Sequence, residues 1–241
     1  MSLPAALSER TLSTISEALG LETADDIPLT SPMSPDPVGR LLVLRRPAAA
    51  KGAEQPVDRV IDKVVAVSLV VPMIGLDSHM IFAFTAPDSA VPHFTLDSVA
   101  SPEYHAMHLD LIPRGELAVN LAYLDACYLE LTPLLEDASK AEGVSPAAIG
   151  PRQRAMMSPW MVVCRATPEA FTELGGTVDA YLRHWLTLVA GGVPAPEGDL
   201  AARDRAGREN LFSPEVDPVW HQVTRLIGAE QSERVRGELV R

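Results

Sequence analysis

Apolar residues recur at helical spacing over residues 4–20, at Leu7, Leu12, Ile15 and Leu19, and the run stops at Gly20. That pattern predicts an amphipathic helix. The next stretch, IPLTSPMSPDP, carries four prolines; it cannot continue a helix and reads as a link. GRLLVLRR then predicts a short strand, and a polar loop over residues 48–55 separates it from the next apolar run.

From residue 57 to residue 113 the period becomes that of strands. VIDKVVAVSLVV, HMIFAFTA, HFTLDSV and YHAMHLDLI are short, rich in β-branched or aromatic residues, and bounded by Pro, Gly, Asp or Ser. Connections of only a few residues suit an antiparallel meander, because parallel neighbours need long crossovers. Strand alternation puts His105 and His108 on opposite faces, and His108 and Asp110 on the same one.

After Arg114 the pattern turns helical. LAYLDACYLELTPLLEDASKAEG predicts a helix broken or kinked at Pro133, and SPWMVVCRA a short extended piece. PEAFTELGGTVDAYLRHWLTLVA predicts a long helix that its Gly-Gly pair is expected to loosen. LAARDRAGRENLF and VDPVWHQVTRLIGAEQSERVRGELV complete the chain as helices, with Pro218 in the first turn of the last and Asp217 as its candidate N-cap. This order predicts an α+β fold in which a central, mainly antiparallel sheet of about five strands is covered on both faces by helices. No linker demands a second domain. The expectation is a single domain over residues 1–241, with a helix and Pro-rich link in 1–36, mainly strands in 39–113 and mainly helices in 114–241.

Composition narrows the class. The 241 residues are 47% hydrophobic and 22% charged, enough for a sizeable core. The longest apolar stretch, 64–76, is interrupted by Ser68, Pro72 and Gly75 and is too short to span a bilayer. The first residues lack the basic-then-apolar order of a secretory signal. Two cysteines, Cys127 and Cys164, make neither a disulfide framework nor a four-ligand metal site, so a reducing cytoplasm is expected, with both thiols in or near the core. A net charge of −12 argues against nonspecific nucleic-acid binding and works against docking of an acidic protein. Seven arginines between Arg203 and Arg241 form either a local basic face or the solvated side of helices.

Candidate chemistry begins with an absence: no G-x-G-x-x-G, Walker loop, H-E-x-x-H, G-x-S-x-G or C-x-x-C occurs. His79, Asp97, His108 and Asp110, however, each interrupt an apolar strand run. A buried carboxylate is costly unless paired, whereas a polar residue on a solvent-facing strand side costs little. Alternation alone favours the solvent-facing assignment for any one position, and His93, His105 and His108 are assigned to it. His221, on the last helix, is expected to be exposed.

PHFTLDSV, followed about ten residues later by HLDLIPRGEL, resembles the superfamily of ferredoxin-dependent bilin reductases and red chlorophyll catabolite reductases. The bilin reductases' P-x-F-x-x-D strand is matched by Pro92, Phe94 and Asp97, and their next strand, ending in Asp and Pro, by Asp110 and Pro113. PRGEL with AYLDACY is similar to the chlorophyll-catabolite branch. Near the C-terminus, Arg208, Asn210, Asp217, Pro218, Leu226 and Gly228 match a further family pattern, so the likeness covers roughly residues 78–228 in patches.

The resemblance implies a three-layer α/β/α sandwich and a pocket between sheet and C-terminal helices for an open-chain tetrapyrrole. It implies no bound flavin, nicotinamide or metal: electrons come singly from reduced ferredoxin and the protein supplies protons. Asp97 falls on the central-sheet acid that protonates the pigment, where the chlorophyll branch has Glu. Asp217 falls on a second proton donor on the opposite wall. His79 lies near the pocket histidine of some members, given a one-residue difference in the intervening loop. No counterpart of the additional pocket glutamate of the phycocyanobilin-forming branch is found. Arg114, Arg152, Arg154 and Arg165 are candidates for holding pigment propionates, since guanidinium pairs bidentately with carboxylate. Two alternatives stay open: a non-catalytic tetrapyrrole carrier that keeps the pocket, and an unrelated α+β enzyme matching by chance.

Overall fold

The computed structural model describes residues 1–47 and 60–241; the polar loop expected at 48–55 lies outside the described residues. The chain opens with α1 (Leu3–Leu19), capped by the Ser2 side chain and ended by Gly20 in the left-handed conformation at φ +61°. Strands β1 (Glu22–Ser31), β2 (Ser34–Arg45), β3 (Ile61–Val71), β4 (Leu76–Thr85), β5 (His93–Ala100) and β6 (His105–Ile112) come next as an antiparallel meander. Helices α2 (Leu121–Tyr128) and α3 (Thr132–Lys140), split near Pro133 as expected, lead to β7 (Val144–Pro146), α4 (Pro151–Arg154) and β8 (Val162–Ala166). The long α5 (Pro168–Gly191), then α6 (Leu200–Leu211), α7 (Val219–Ile227) and α8 (Ala229–Val240) complete it. The eight strands form one sheet in the order β1-β2-β3-β4-β5-β6-β8-β7, and every paired neighbour is antiparallel. The fold is α+β.

Strand alternation sorts the side chains into two cores. Ile81, Ala83, Phe94, Leu96, Met107, Leu109 and Leu111 pack with α1, α2, α3 and α5 on one face. Val65, Val67, Leu69, Phe82 and Phe84 pack with α6, α7 and α8 on the other. At roughly 1.5–3 kcal/mol for each large apolar side chain buried, these cores carry most of the stabilisation. Buried polar tips tie the first helical layer to the strands that bear the site. Trp185 of α5 donates to the Pro92 carbonyl at 2.8 Å, Tyr128 of α2 donates to the Leu111 carbonyl at 3.0 Å, and the Tyr123 hydroxyl accepts from the Arg114 N–H at 2.9 Å.

Four sequence expectations are corrected, the first being the strand count: the sheet has eight strands rather than about five. The Pro-rich link is a hairpin, β1 and β2. Pro28 lies on β1, the edge strand, and Pro35 and Pro37 precede Gly39, where pairing of β2 to β3 begins; neither position needs an N–H on both sides. The last helix is two, because Gly228 breaks it at φ +82°. The Gly-Gly pair leaves α5 continuous: Gly175 lets Arg10 of α1 approach to donate to its carbonyl at 3.4 Å. Among the described residues no helix is long and apolar enough to cross a membrane.

The end of the sheet opposite the β5–β6 turn is held by charge. Asp204 of α6 meets His93 at 2.9 Å, Arg114 at 3.1 Å and Arg208 at 3.0 Å, and the Arg208 guanidinium lies 4.1 Å from the Phe84 ring centre. Burial, reinforced by Arg114, pushes His93 down to about 3, so its ring is neutral, while His93 and the two arginines keep Asp204 below its ordinary range despite burial.

This architecture makes the backbone at Gly39 and the charge state of His93 testable. A Cβ on Gly39 would stand 2.0 Å from the Ser68 carbonyl oxygen, whereas one on exposed Gly176 meets nothing within 4 Å. Gly39→Ala is expected to cost more than ~2 kcal/mol and Gly176→Ala to gain ~0.5–1 kcal/mol, read from urea midpoints. The unfolded chain protonates His93 near 6.5 and the folded chain only near 3, so stability falls as pH drops through that window, by up to ~1.4 kcal/mol per unit. Asp110, whose carboxyl is raised to about 6, works in the opposite sense between about 4 and 6 in both proteins. Urea midpoints from pH 7.5 to 4.5 are therefore expected to decline less in His93→Gln than in the wild type.

Candidate functional site

On the face toward α6–α8, β5 and β6 present a row of polar residues, whereas their other face is mainly apolar core. Thr95, Asp97, His108 and Asp110 occupy consecutive pleat positions there, and Asp97 is directly opposite His108 in the β5–β6 register. Above them lies a cavity of about 410 Å³, within the range of small-molecule sites. Its floor is made by β3–β6 and β8, including Met80, Asp97, Val99 and His108. Its roof is made by the end of α6 and by α7 and α8, including Phe212, Asp217, Trp220 and Val235. Residues 147–157, with Gln153 of α4, close one side.

The polar groups are few and convergent. His108 Nδ1 stands 3.4 Å from Asp97 Oδ2; the Asp97 side chain is 35% exposed and that of His108 12%, so the carboxyl faces the cavity and the imidazole sits behind it. Burial would push His108 down, but Asp97, Asp110 and Asp217 together hold it above its ordinary value. Asp110, fully buried, accepts from Ser158 N at 2.8 Å and Ser158 Oγ at 2.5 Å. Burial raises its carboxyl to about 6, against the pull of His108 and Ser158. Asp217 enters from the roof. Its carboxylate accepts from Val219 N–H at 3.0 Å and from Gln153 Nε2 at 3.3 Å, while the N-cap of α7 is Pro218 rather than Asp217 as expected. Burial and the charge of Asp97 raise it, partly offset by Val219 and His108.

Of the residues singled out in the sequence, the structure brings Asp97 and Asp217 together, lining one cavity from opposite walls. They part on His79. Met80 and Phe82 face the cavity, so alternation turns His79 to the α1 side, where Nε2 meets Asp77 at 2.6 Å. Arg114 is also excluded from holding a substrate: it is buried and its guanidinium is used by Asp204, Thr85 and the Pro87 carbonyl. Arg152 and Arg154 are exposed on either side of cavity-lining Gln153. Arg165 is exposed, stacked 4.3 Å from the Tyr104 ring centre and level with cavity-lining Ala106 in the β6–β8 register.

The solvent-facing assignment of the strand histidines is corrected as well. His93 is buried in the charge network, His105 packs on Phe171 at 5.1 Å between ring centres, and His108 belongs to the cavity. His108 was within reach of the sequence, because it shares a face with Asp110; what was missing was the register that sets Asp97 opposite it. Gln153 and Trp220 carried no sequence signal.

Among the described residues no group of three or more His, Cys, Asp or Glu side chains is placed to hold a metal ion. Both cysteines are free and buried in the core on the α1–α5 face, and burial pushes the Cys164 thiol up to about 11, which leaves it protonated and a poor nucleophile. The arrangement is suited to moving protons: two carboxyl groups and an imidazole at the polar points of an apolar cavity.

No protein-family model and no curated protein matches the chain. A solved structure does: phytochromobilin synthase from tomato, in complex with biliverdin, aligns with a TM-score of 0.67 at 16% sequence identity, covering 96% of this chain and 80% of that one. At that identity the likeness is one of fold, and the fold it shares is the sandwich that carries the cavity.

Proposed function

We propose that this chain reduces an open-chain tetrapyrrole held in the cavity between the sheet and α6–α8. Single electrons come from an external ferredoxin-type carrier, and Asp97 and Asp217 deliver protons. One observation carries this reading: two carboxyl groups face each other across one apolar cavity, on a fold shared with a biliverdin-bound bilin-pathway protein. The cavity's ionisable groups are Asp97, Asp217 and His108, so its polar wall is rich in acceptors. Such a wall suits the inward N–H groups of pyrrole rings. The pigment's own carboxylates are then best left at the rim, where Arg152, Arg154 and Arg165 are exposed.

Charge dictates the chemistry. Adding an electron to a conjugated pigment makes a basic radical anion, and reduction stalls unless a proton donor lies within hydrogen-bond reach. Burial raises the affinity of the Asp217 carboxyl for its proton, the direction that favours a proton donor. Donors on two walls allow two protons to accompany two electrons. The net charge of −12 opposes an acidic electron carrier; Arg203, Arg205, Arg225 and Arg234, exposed on the helices that roof the cavity, are the cations available to receive one, beside exposed Glu209, Glu230 and Glu233.

The test is anaerobic. Protein, biliverdin, ferredoxin, ferredoxin reductase and NADPH are mixed and the visible spectrum is monitored; a progressive shift of the bound-pigment bands is expected. A pigment that binds but keeps its spectrum under reducing conditions would make the protein a carrier. Asp97→Asn is expected to slow reduction by roughly 10²-fold or more while biliverdin affinity changes little; unimpaired turnover would remove Asp97 from the mechanism.

A further inference from the structure

Behind Asp97 the structure holds a second layer of titratable groups that direct protonation by Asp97 and Asp217 does not use: His108, then Asp110. His108 lines the cavity beside Asp97 but is the less exposed of the two, and its Nε2 has neither solvent contact nor a hydrogen-bond partner among the described residues. Three charged groups act on it from the elements around it: Asp97 from β5, Asp110 two residues along β6, and Asp217 from the start of α7. Its register partner on β8 is the uncharged Val163. Asp110 is fixed by Ser158 through both oxygens, so it serves as an immobile counter-charge.

Resting on the proposed reductase function, we infer that the proton Asp97 gives to the substrate is stored on His108, a positioning residue that acts through its Nδ1 contact with Asp97. When the pigment accepts one electron from the external one-electron carrier, Asp97 Oδ2 takes the Nδ1 proton of the imidazolium across the 3.4 Å contact. The carboxyl then passes a proton to the pigment. One imidazolium N–H bond breaks and one bond to hydrogen forms on the pigment; the radical anion becomes neutral, His108 goes from cation to neutral imidazole, and Asp97 ends as the carboxylate it was. His108 reloads from water by the same route once the cavity opens. The carboxylates around His108 hold its proton affinity above the ordinary imidazole value of about 6.5, so the store is loaded near neutral pH.

Two measurements on the full chain test this: ring-nitrogen NMR titration of His108, and the pH profile of anaerobic biliverdin reduction. The wild-type ring is expected to titrate above 6.5, and reduction to slow as pH rises through that titration. His108→Gln replaces the imidazole with a neutral amide of similar reach, which cannot store a proton. It is expected to bind biliverdin within a few-fold of wild type, to reduce it roughly 10-fold more slowly at pH 7, and to lose the descending limb of the profile. Asp110→Asn, which lies outside the cavity lining, is expected to lower the His108 titration and move the limb to lower pH by about one unit, and it serves where His108→Gln does not fold. A His108→Gln protein with the wild-type profile, or an Asp110→Asn protein whose limb stays in place, overturns the inference and leaves the reductase function intact. A wild-type protein that leaves biliverdin unreduced overturns both.

Discussion

The register of β5 on β6 is the constraint on which the site depends. It sets Asp97 opposite His108 on one face and Leu96 opposite Leu109 on the other. A slip of β6 by one residue against β5 would turn Met107, Leu109 and Leu111 out of the α1–α5 core and drive His108 and Asp110 into it. Each displaced apolar side chain forfeits ~1.5–3 kcal/mol of burial, and each buried unpaired carboxylate adds several more. The apolar half of the two strands therefore enforces a geometry that the polar half uses.

A similar division runs along the strands. At the far end, positive charge is consumed: Arg114 and Arg208 are both committed to Asp204, which pins α6 over the sheet and so sets the height of the cavity roof. At the near end, negative charge is left in excess, with Asp97, Asp110 and Asp217 around a single imidazole. Burial alone would discharge His108, and its opposition by three carboxylates is what gives that ring a role distinct from the neutral His93 one sheet-end away.

Much of this was legible in the chain because strand alternation is a local property. The meander, the kink at Pro133, the shared face of His108 and Asp110, and the candidacy of Asp97 and Asp217 all come from spacing or from a motif. The features that were not legible depended on pairing. Prolines read as link-formers, yet edge position makes Pro28 harmless in β1. His79 interrupts its strand just as Asp97 does, but only the placement of Met80 and Phe82 in the cavity lining reveals that it points away. Arg114 looked free for a substrate because nothing nearby in sequence announces Asp204, ninety residues on.

A crystal structure of the chain with biliverdin tests most directly whether the cavity over Asp97 is a tetrapyrrole site. The expected result is an unreduced pigment lying between Val99 and Trp220, with the Asp97 carboxyl within hydrogen-bond distance of its pyrrole N–H or lactam groups. Biliverdin bound elsewhere on the molecule, with the cavity empty and Asp97 uncontacted, would contradict it.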